Sequence, residues 1–493
     1  MNTIEKFNNM RTPSTILLLT SLVLILGCGK VDDTSSSAAV ASAPIDRSSR
    51  PDPGPAPASS FPNYEAQETS EGLTIYVIES DRQPTINYRL MFRSGGLFDS
   101  EKSGLAAFVA DMLDKGVKGK TGYELASEID FIGASLSATA SSDFIAVSLS
   151  GLSKYKEKLL DILKSVVIEP AFPEDELEKL RQRTLSNLIS ERSEPDALIG
   201  KLRRKLVYGE GAYGSFQTEE SVASITRDDL IAFHKAHFLP NNASLAIVGS
   251  FDGPTELARV KSELGKWKPA ELPPLPDLSF PEVDGGTIHL LDREDSVQST
   301  LRVAQQSVPK SNPDTPELRV VMSILGGGFS GRLFQNLRED KGFTYGAGAY
   351  SANAAKLGAI ISYADVRNEV TADAVKEIFN ELNRIREEPI PVAELEMHQK
   401  YLAGNYILSL EQPLTIARLV QEIDVYGLAP DYYQTYVSQL MSVTPELAAE
   451  LANKYVLPEN SIVAVVGKRE EIAESLQAIG RVTVYDEKLN VQN

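Results

Sequence analysis

Apolar positions along this chain follow two spacings, and the alternation between them predicts its architecture. Short apolar runs predict strands over 73–78 and 88–93, and again over 287–291 and 301–305. Ala134, Leu136 and Ala138 alternate with Ser135, Ser137 and Thr139, the period expected of a strand with one exposed face at a sheet edge. Between these runs the period changes. Leu105, Phe108, Val109 and Met112 stand at i, i+3, i+4 and i+7, which predicts a helix over 104–116 stopped by Gly116. A longer pattern then recurs. Ser224-Ile225-Thr226, a helical stretch through Phe238, the turn Leu239-Pro240-Asn241-Asn242 and the apolar run ending at Gly249 reappear as Ser442-Val443-Thr444, Leu457-Pro458-Glu459-Asn460 and a run ending at Gly467. Every position is displaced by the same 218 residues, without a gap. The expected fold is therefore α/β (α+β), built as two homologous sheet-and-helix halves.

Breaks in composition place the boundaries. Residues 28–62 are rich in Ser, Ala and Pro and cannot bury enough apolar surface to fold, so they are expected to form a tether. A second Pro-rich stretch, 269–282, separates an N-terminal half (63–268) from a C-terminal half (283–493). Residues 1–27 carry Arg11 and then an apolar run, Ile16 to Leu26, too short to span a bilayer comfortably. They end Ile25-Leu26-Gly27-Cys28, which resembles a bacterial lipobox, and Cys28 is the only cysteine in 493 residues. The expectation is a lipoprotein signal peptide (1–27) and lipidation at Cys28. The protein would then be anchored in the cell envelope, and the same resemblance implies, with Gly rather than Asp at position 29, the outer membrane facing the periplasm. With 68 acidic against 49 basic residues the formal charge is −19, which repels phosphate backbones and argues against nucleic-acid binding.

Two segments carry candidate chemistry. Gly104-Leu105-Ala106-Ala107-Phe108-Val109-Ala110-Asp111-Met112-Leu113-Asp114-Lys115-Gly116 resembles the motif helix of the pitrilysin/insulinase-type zinc peptidases. There an inverted H-x-x-E-H supplies two zinc-binding His and a Glu that activates water. Ala107 and Asp111 occupy the His positions and Ala110 the Glu position. The family's third ligand, a Glu on the following long helix, aligns with Leu188, or with Asn187 if the register slips by one. Removing ligands forfeits a binding energy of order 10 kcal/mol, so no metal is expected on this chain. His234 and His237 read as solvent-facing helix residues, His289 as a strand residue and His398 as part of a charged helix; none suggests a replacement site.

The second segment is Leu325-Gly326-Gly327-Gly328-Phe329-Ser330-Gly331-Arg332 through Arg338, Gly342 and Tyr345. Its glycines lack the G-K-[ST] of a phosphate loop. It resembles the same family's C-terminal signature, in which an Arg and a Tyr seven residues later complete the active site. Arg338 and Tyr345 hold those positions, and Arg332 reads as an exposed helix residue suited to be a control. The resemblance also implies that the halves close as a clamshell, and that Ser135, Ser137 and Thr139 lie on an edge that takes extended peptide. Some bacterial members divide the work between subunits. The expectation is thus the Arg/Tyr subunit of a heterodimer whose homologous H-x-x-E-H-bearing partner holds zinc and cuts peptides. The rival expectation is a pseudo-peptidase that binds peptide or scaffolds an envelope complex without catalysis.

Overall fold

Two sheets with the same topological plan account for most of the strands. The computed structural model describes residues 61–492; the signal segment, Cys28 and nearly all of the tether lie outside these. In the N-terminal half the strand order is Glu65–Glu68, Thr74–Glu79, Ala243–Gly249, Thr85–Phe92, Ile145–Leu152, Ser135–Ala140. Thr74–Glu79 runs parallel to Ala243–Gly249, which is antiparallel to Thr85–Phe92. The C-terminal sheet repeats this core: Thr287–Asp292 is parallel to Ile462–Gly467, itself antiparallel to Gln298–Ser307. Gly358–Arg367 and the edge strand Thr344–Asn353 then follow on the outside. The central strands are apolar on both faces, as strands covered on both sides must be.

The 218-residue repeat folds the same way twice. Thr226 caps the helix Arg227–His237 by accepting the backbone N–H of Asp229, and Thr444 caps Pro445–Tyr455 by accepting that of Leu447. Each helix is followed by a turn and a buried strand.

Helices cross between the halves. Pro195–Tyr208 comes from the N-terminal half, yet Leu198, Ile199, Leu202 and Val207 pack on Ala304, Ile361, Ala464 and Val466 of the C-terminal sheet. Pro413–Tyr426 returns the exchange, burying Ile416, Ala417, Leu419 and Val420 in a core shared with Tyr76, Ile78, Ala246 and Val248. Polar contacts fix both. The Gln421 amide donates to Arg89 O at 2.8 Å and Ser244 O at 2.7 Å, and Arg93 donates to both carboxylate oxygens of Asp424 at 2.8 and 2.7 Å. On the other sheet Arg302 pairs with Asp196, and the Gln306 amide donates to Val207 O at 2.8 Å. The described residues all belong to one compact unit. The Pro-rich segment around 269–282, which has no regular structure, therefore divides the chain without dividing its packing.

Candidate functional site

The first helix is shorter than its apolar pattern suggests. It spans Leu105–Met112, and Leu113 to Lys115 turn away before Gly116 at φ +142°. No side chain of Gly104 caps it. Instead the buried Asp99 carboxylate accepts the N–H groups of Gly104 at 2.7 Å and Ala106 at 2.8 Å. Burial lifts the Asp99 pKa to about 6 against the pull of those two bonds. On this helix Ala107 is half-buried, Ala110 buried and Asp111 exposed. Desolvation raises the Asp111 pKa, opposed by Arg183 and Lys115.

Leu188, on the helix Glu174–Glu191, is buried and lines a cavity of about 370 Å³ together with Ala107. Asn187 is exposed, so the leucine is the residue that meets the motif helix. Asp111 and Ala110 line a neighbouring cleft of about 210 Å³ with Arg183 and Ser137. Two methyl groups, an isobutyl group and one carboxylate do not fit zinc, which takes three nitrogen, sulfur or oxygen ligands in a catalytic site. Among the described residues no three His, Cys, Asp or Glu side chains are grouped to hold a metal.

The four histidines are structural, and two correct the sequence expectation. His237 is buried rather than solvent-facing. Its Nδ1 is hydrogen-bonded with Ser94 Oγ at 3.0 Å, it packs on Phe98 and Phe233, and burial depresses its pKa to about 4. His234 is half-buried against Phe172 and Phe238, with Nε2 at 2.7 Å from Val167 O. Both histidines lie on the one buried stripe of their helix, with Leu230 and Phe233, while Ile231, Ala232 and Lys235 face outward. His289 is hydrogen-bonded with Tyr485 OH at 3.0 Å, and His398 with Ser323 Oγ at 2.9 Å.

The Arg338 and Tyr345 segment is built from several backbone irregularities. Arg332–Phe334 passes directly into a π-helical stretch, Gln335–Asp340, a form frequent at functional sites. Gly342 at φ +62° ends it: its N–H reaches Arg338 O at 3.1 Å, and that of Phe343 reaches Leu337 O at 2.8 Å. A residue with a Cβ would be strained in this left-handed position. The chain then enters the edge strand Thr344–Asn353 through a bulge. Thr344 pairs with Val366, but Ala347 pairs with Ala364, leaving Tyr345 and Gly346 as the irregular residues. Thr344 Oγ1 accepts the Gly346 N–H at 3.0 Å and so pins the bulge. Bulges re-aim side chains; here Tyr345 is turned out until it is 87% exposed. Arg338 Nη1 donates to Tyr345 O at 2.8 Å, and its guanidinium lies over Phe334, 4.9 Å from the ring centroid. Tyr345 is thus no core aromatic.

Arg332 is not an exposed control. It is 7% exposed and donates through Nε and Nη2 to the two Glu394 oxygens at 2.9 and 2.8 Å. The start of its helix faces Val392–Ser409, which covers it.

Ser135, Ser137 and Thr139 are exposed on Ser135–Ala140, the outermost strand of the N-terminal sheet. The turns beyond the two edge strands touch: the Asp143 carboxylate accepts the Ala355 N–H at 3.1 Å. Tyr345 lies at the other end of its strand, roughly 30 Å from that contact at about 3.3 Å per residue.

The family model described as "Insulinase (Peptidase family M16)" matches residues 75–215, and that described as "Peptidase M16 inactive domain" matches residues 224–402. The chain is 25% identical over 357 residues to a zinc protease of Rickettsia bellii, an alignment spanning 71% of this chain and 84% of the relative. It is 27% identical over 361 residues to a zinc protease of Mycobacterium leprae, spanning 71% and 81%. Among solved structures, a peptidase M16 inactive domain from Pseudomonas fluorescens superposes with a TM-score of 0.77 at 24% identity, covering 82% of this chain and 98% of that one. A protease from Helicobacter pylori gives 0.77 at 18% identity, covering 83% and 100%.

Proposed function

Because the chain belongs to the insulinase family, peptidase family M16, as a homologue that lacks the zinc-binding residues, we propose that it is the Arg/Tyr subunit of a two-chain peptidase. A homologous partner carrying H-x-x-E-H holds the zinc, which activates the attacking water. The part played by this chain is electrostatic. Attack on a peptide carbonyl turns its oxygen into an oxyanion, and the Tyr345 phenol donates a hydrogen bond to it. Such a donor lowers the barrier because it is in place before the charge develops. Arg338 holds the Tyr345 backbone through one nitrogen and keeps others for substrate carbonyls.

The observation that carries this reading is Tyr345 itself. A bulge, a pinning threonine and an arginine all act to hold one phenol in solvent. Burial of that ring would have been worth on the order of 2 kcal/mol, so its exposure opposes the stability of this chain alone. The stretch ending in Cys28 supports a lipid anchor in the bacterial envelope, with peptides of the periplasm as substrates. The test is reconstitution. The chain and an H-x-x-E-H homologue from the same genome are assayed separately and mixed, by co-elution, by metal analysis and by turnover of a quenched peptide. The expected result is one zinc per mixed pair, none on this chain, and cleavage only in the mixture. Co-elution without any gain in turnover would make the chain a scaffold.

A further inference from the structure

The C-terminal half contains a cleft that has no part in the proposed oxyanion chemistry. It lies between the helix Thr315–Gly326, the edge strand Thr344–Asn353 and the helix Val392–Ser409, with a volume of about 380 Å³. The repeat relates it to the cleft under the degenerate motif helix. Arg183 lines that cleft and Tyr401 this one, 218 residues apart. The two differ in charge. In the first, Asp111 and Asp114 are balanced by Lys115 and Arg183, whereas Lys310 and Arg319 line the second, with no Asp or Glu among its lining residues. In a chain of formal charge −19 that is a local reversal.

Lys310 is the central feature. Its side chain is 20% exposed, and among the described residues its ammonium donates no hydrogen bond. Its nearest carboxylate, Glu422, stands 3.9 Å away and is already engaged by Arg418 and the Tyr433 hydroxyl. Burial depresses the Lys310 pKa, which marks a cation short of a counter-charge. Arg319 lies beside the Tyr432 and Tyr436 phenols on the same wall. The Thr315 hydroxyl, on a residue 7% exposed that lines the cleft, has no partner among the described residues. Tyr350 and Tyr401 leave half of their surfaces exposed at its mouth.

We infer that this cleft is an anion subsite for peptide, taking a carboxylate between Lys310 and Arg319 while the neighbouring side chain rests on Tyr350 and Tyr401. A strand at the sheet edge forms one wall, so an extended peptide lying along it would bring its side chains or its terminus past the two cations. The carboxylate can belong to an Asp or Glu side chain or to a peptide C-terminus. This inference rests on the peptide-handling reading above, but it concerns binding by this chain alone and needs no partner.

The experiment uses the purified full chain and three fluorescent ten-residue peptides of otherwise equal sequence. One has a free C-terminus and no acidic residue, one is amidated with a single central Glu, and one is amidated with Gln in its place. Anisotropy is expected to show the amidated Gln peptide bound roughly ten- to a hundred-fold more weakly than at least one of the others, the scale of a hydrogen bond to a charged group. Which of the two binds tighter identifies the source of the carboxylate. Lys310→Gln should remove the preference. Arg319→Gln, at an exposed position, should weaken it without the folding risk of the buried site. Equal affinity for all three peptides, no binding of any, or a preference that survives both substitutions would overturn the inference. None of these outcomes touches the turnover of the mixed complex, which tests the oxyanion role separately.

Discussion

A guanidinium reads as a surface group in a sequence, yet Arg332 is enclosed and held by two parallel bonds to Glu394. Truncating it leaves a carboxylate with little solvent and no partner, so Arg332→Ala should destabilise the protein by about 3 kcal/mol. Thermal unfolding of the purified chain checks this; a melting curve like that of the wild type would show the pair to be idle. The histidines give a second outcome at this scale. In the unfolded chain His237 takes a proton near pH 6.5, whereas in the folded chain it stays neutral down to about 4. Between those values the unfolded state binds more protons, so this contribution to stability is present above pH 6.5 and is lost as the pH falls toward 4. His289 acts in the same direction. Asp99 opposes them, because its raised pKa stabilises the fold at low pH and that gain is lost as the pH rises through about 6. The urea midpoint should therefore fall from pH 7 to pH 5, and His237→Asn should make the fall shallower. An unchanged slope in the variant would assign the acid sensitivity elsewhere.

Much of the element plan was legible because it follows from periodicity. The strands, the capped helices and the repeat from Ser224 onward are all signalled by local pattern and spacing. The same offset runs further back than the apolar runs alone disclosed. Pro173 with Glu176-Leu177-Glu178 matches Pro391 with Glu394-Leu395-Glu396, and Val207-Tyr208-Gly209 matches Val425-Tyr426-Gly427. What no pattern disclosed is which sheet each exchanged helix covers, since an apolar face specifies burial but no partner. The bulge at Tyr345 was hidden for a related reason: it is a register shift between strands and has no composition of its own. The exchange has a consequence. Leu198, Ile199, Leu202 and Val207 each bury on the order of 2 kcal/mol of apolar surface on a sheet that belongs to the other half. A fragment of residues 283–493 should therefore be poorly folded alone, but should co-purify as a folded complex when co-expressed with residues 63–282. Circular dichroism and gel filtration distinguish the states. A monomeric, cooperatively melting C-terminal fragment would contradict the account.

For the whole molecule the central proposal is a separation of functions between two chains. The N-terminal half keeps the frame of a zinc site around Ala107, Ala110, Asp111 and Leu188 without its ligands, while the C-terminal half holds Tyr345 outward. Cys28→Ala should shift the protein from the membrane fraction to the soluble one or leave it uncleaved, and a wild type already soluble after cell disruption would refute the anchor. The most direct test of the composite site is the kcat of the reconstituted complex carrying Tyr345→Phe. That change removes one hydroxyl from an exposed ring and should leave co-elution with the partner intact. The account predicts a fall in kcat on the order of 10²–10³, the scale of one lost oxyanion donor, with normal assembly. A complex that assembles normally and cleaves at the wild-type rate would contradict it.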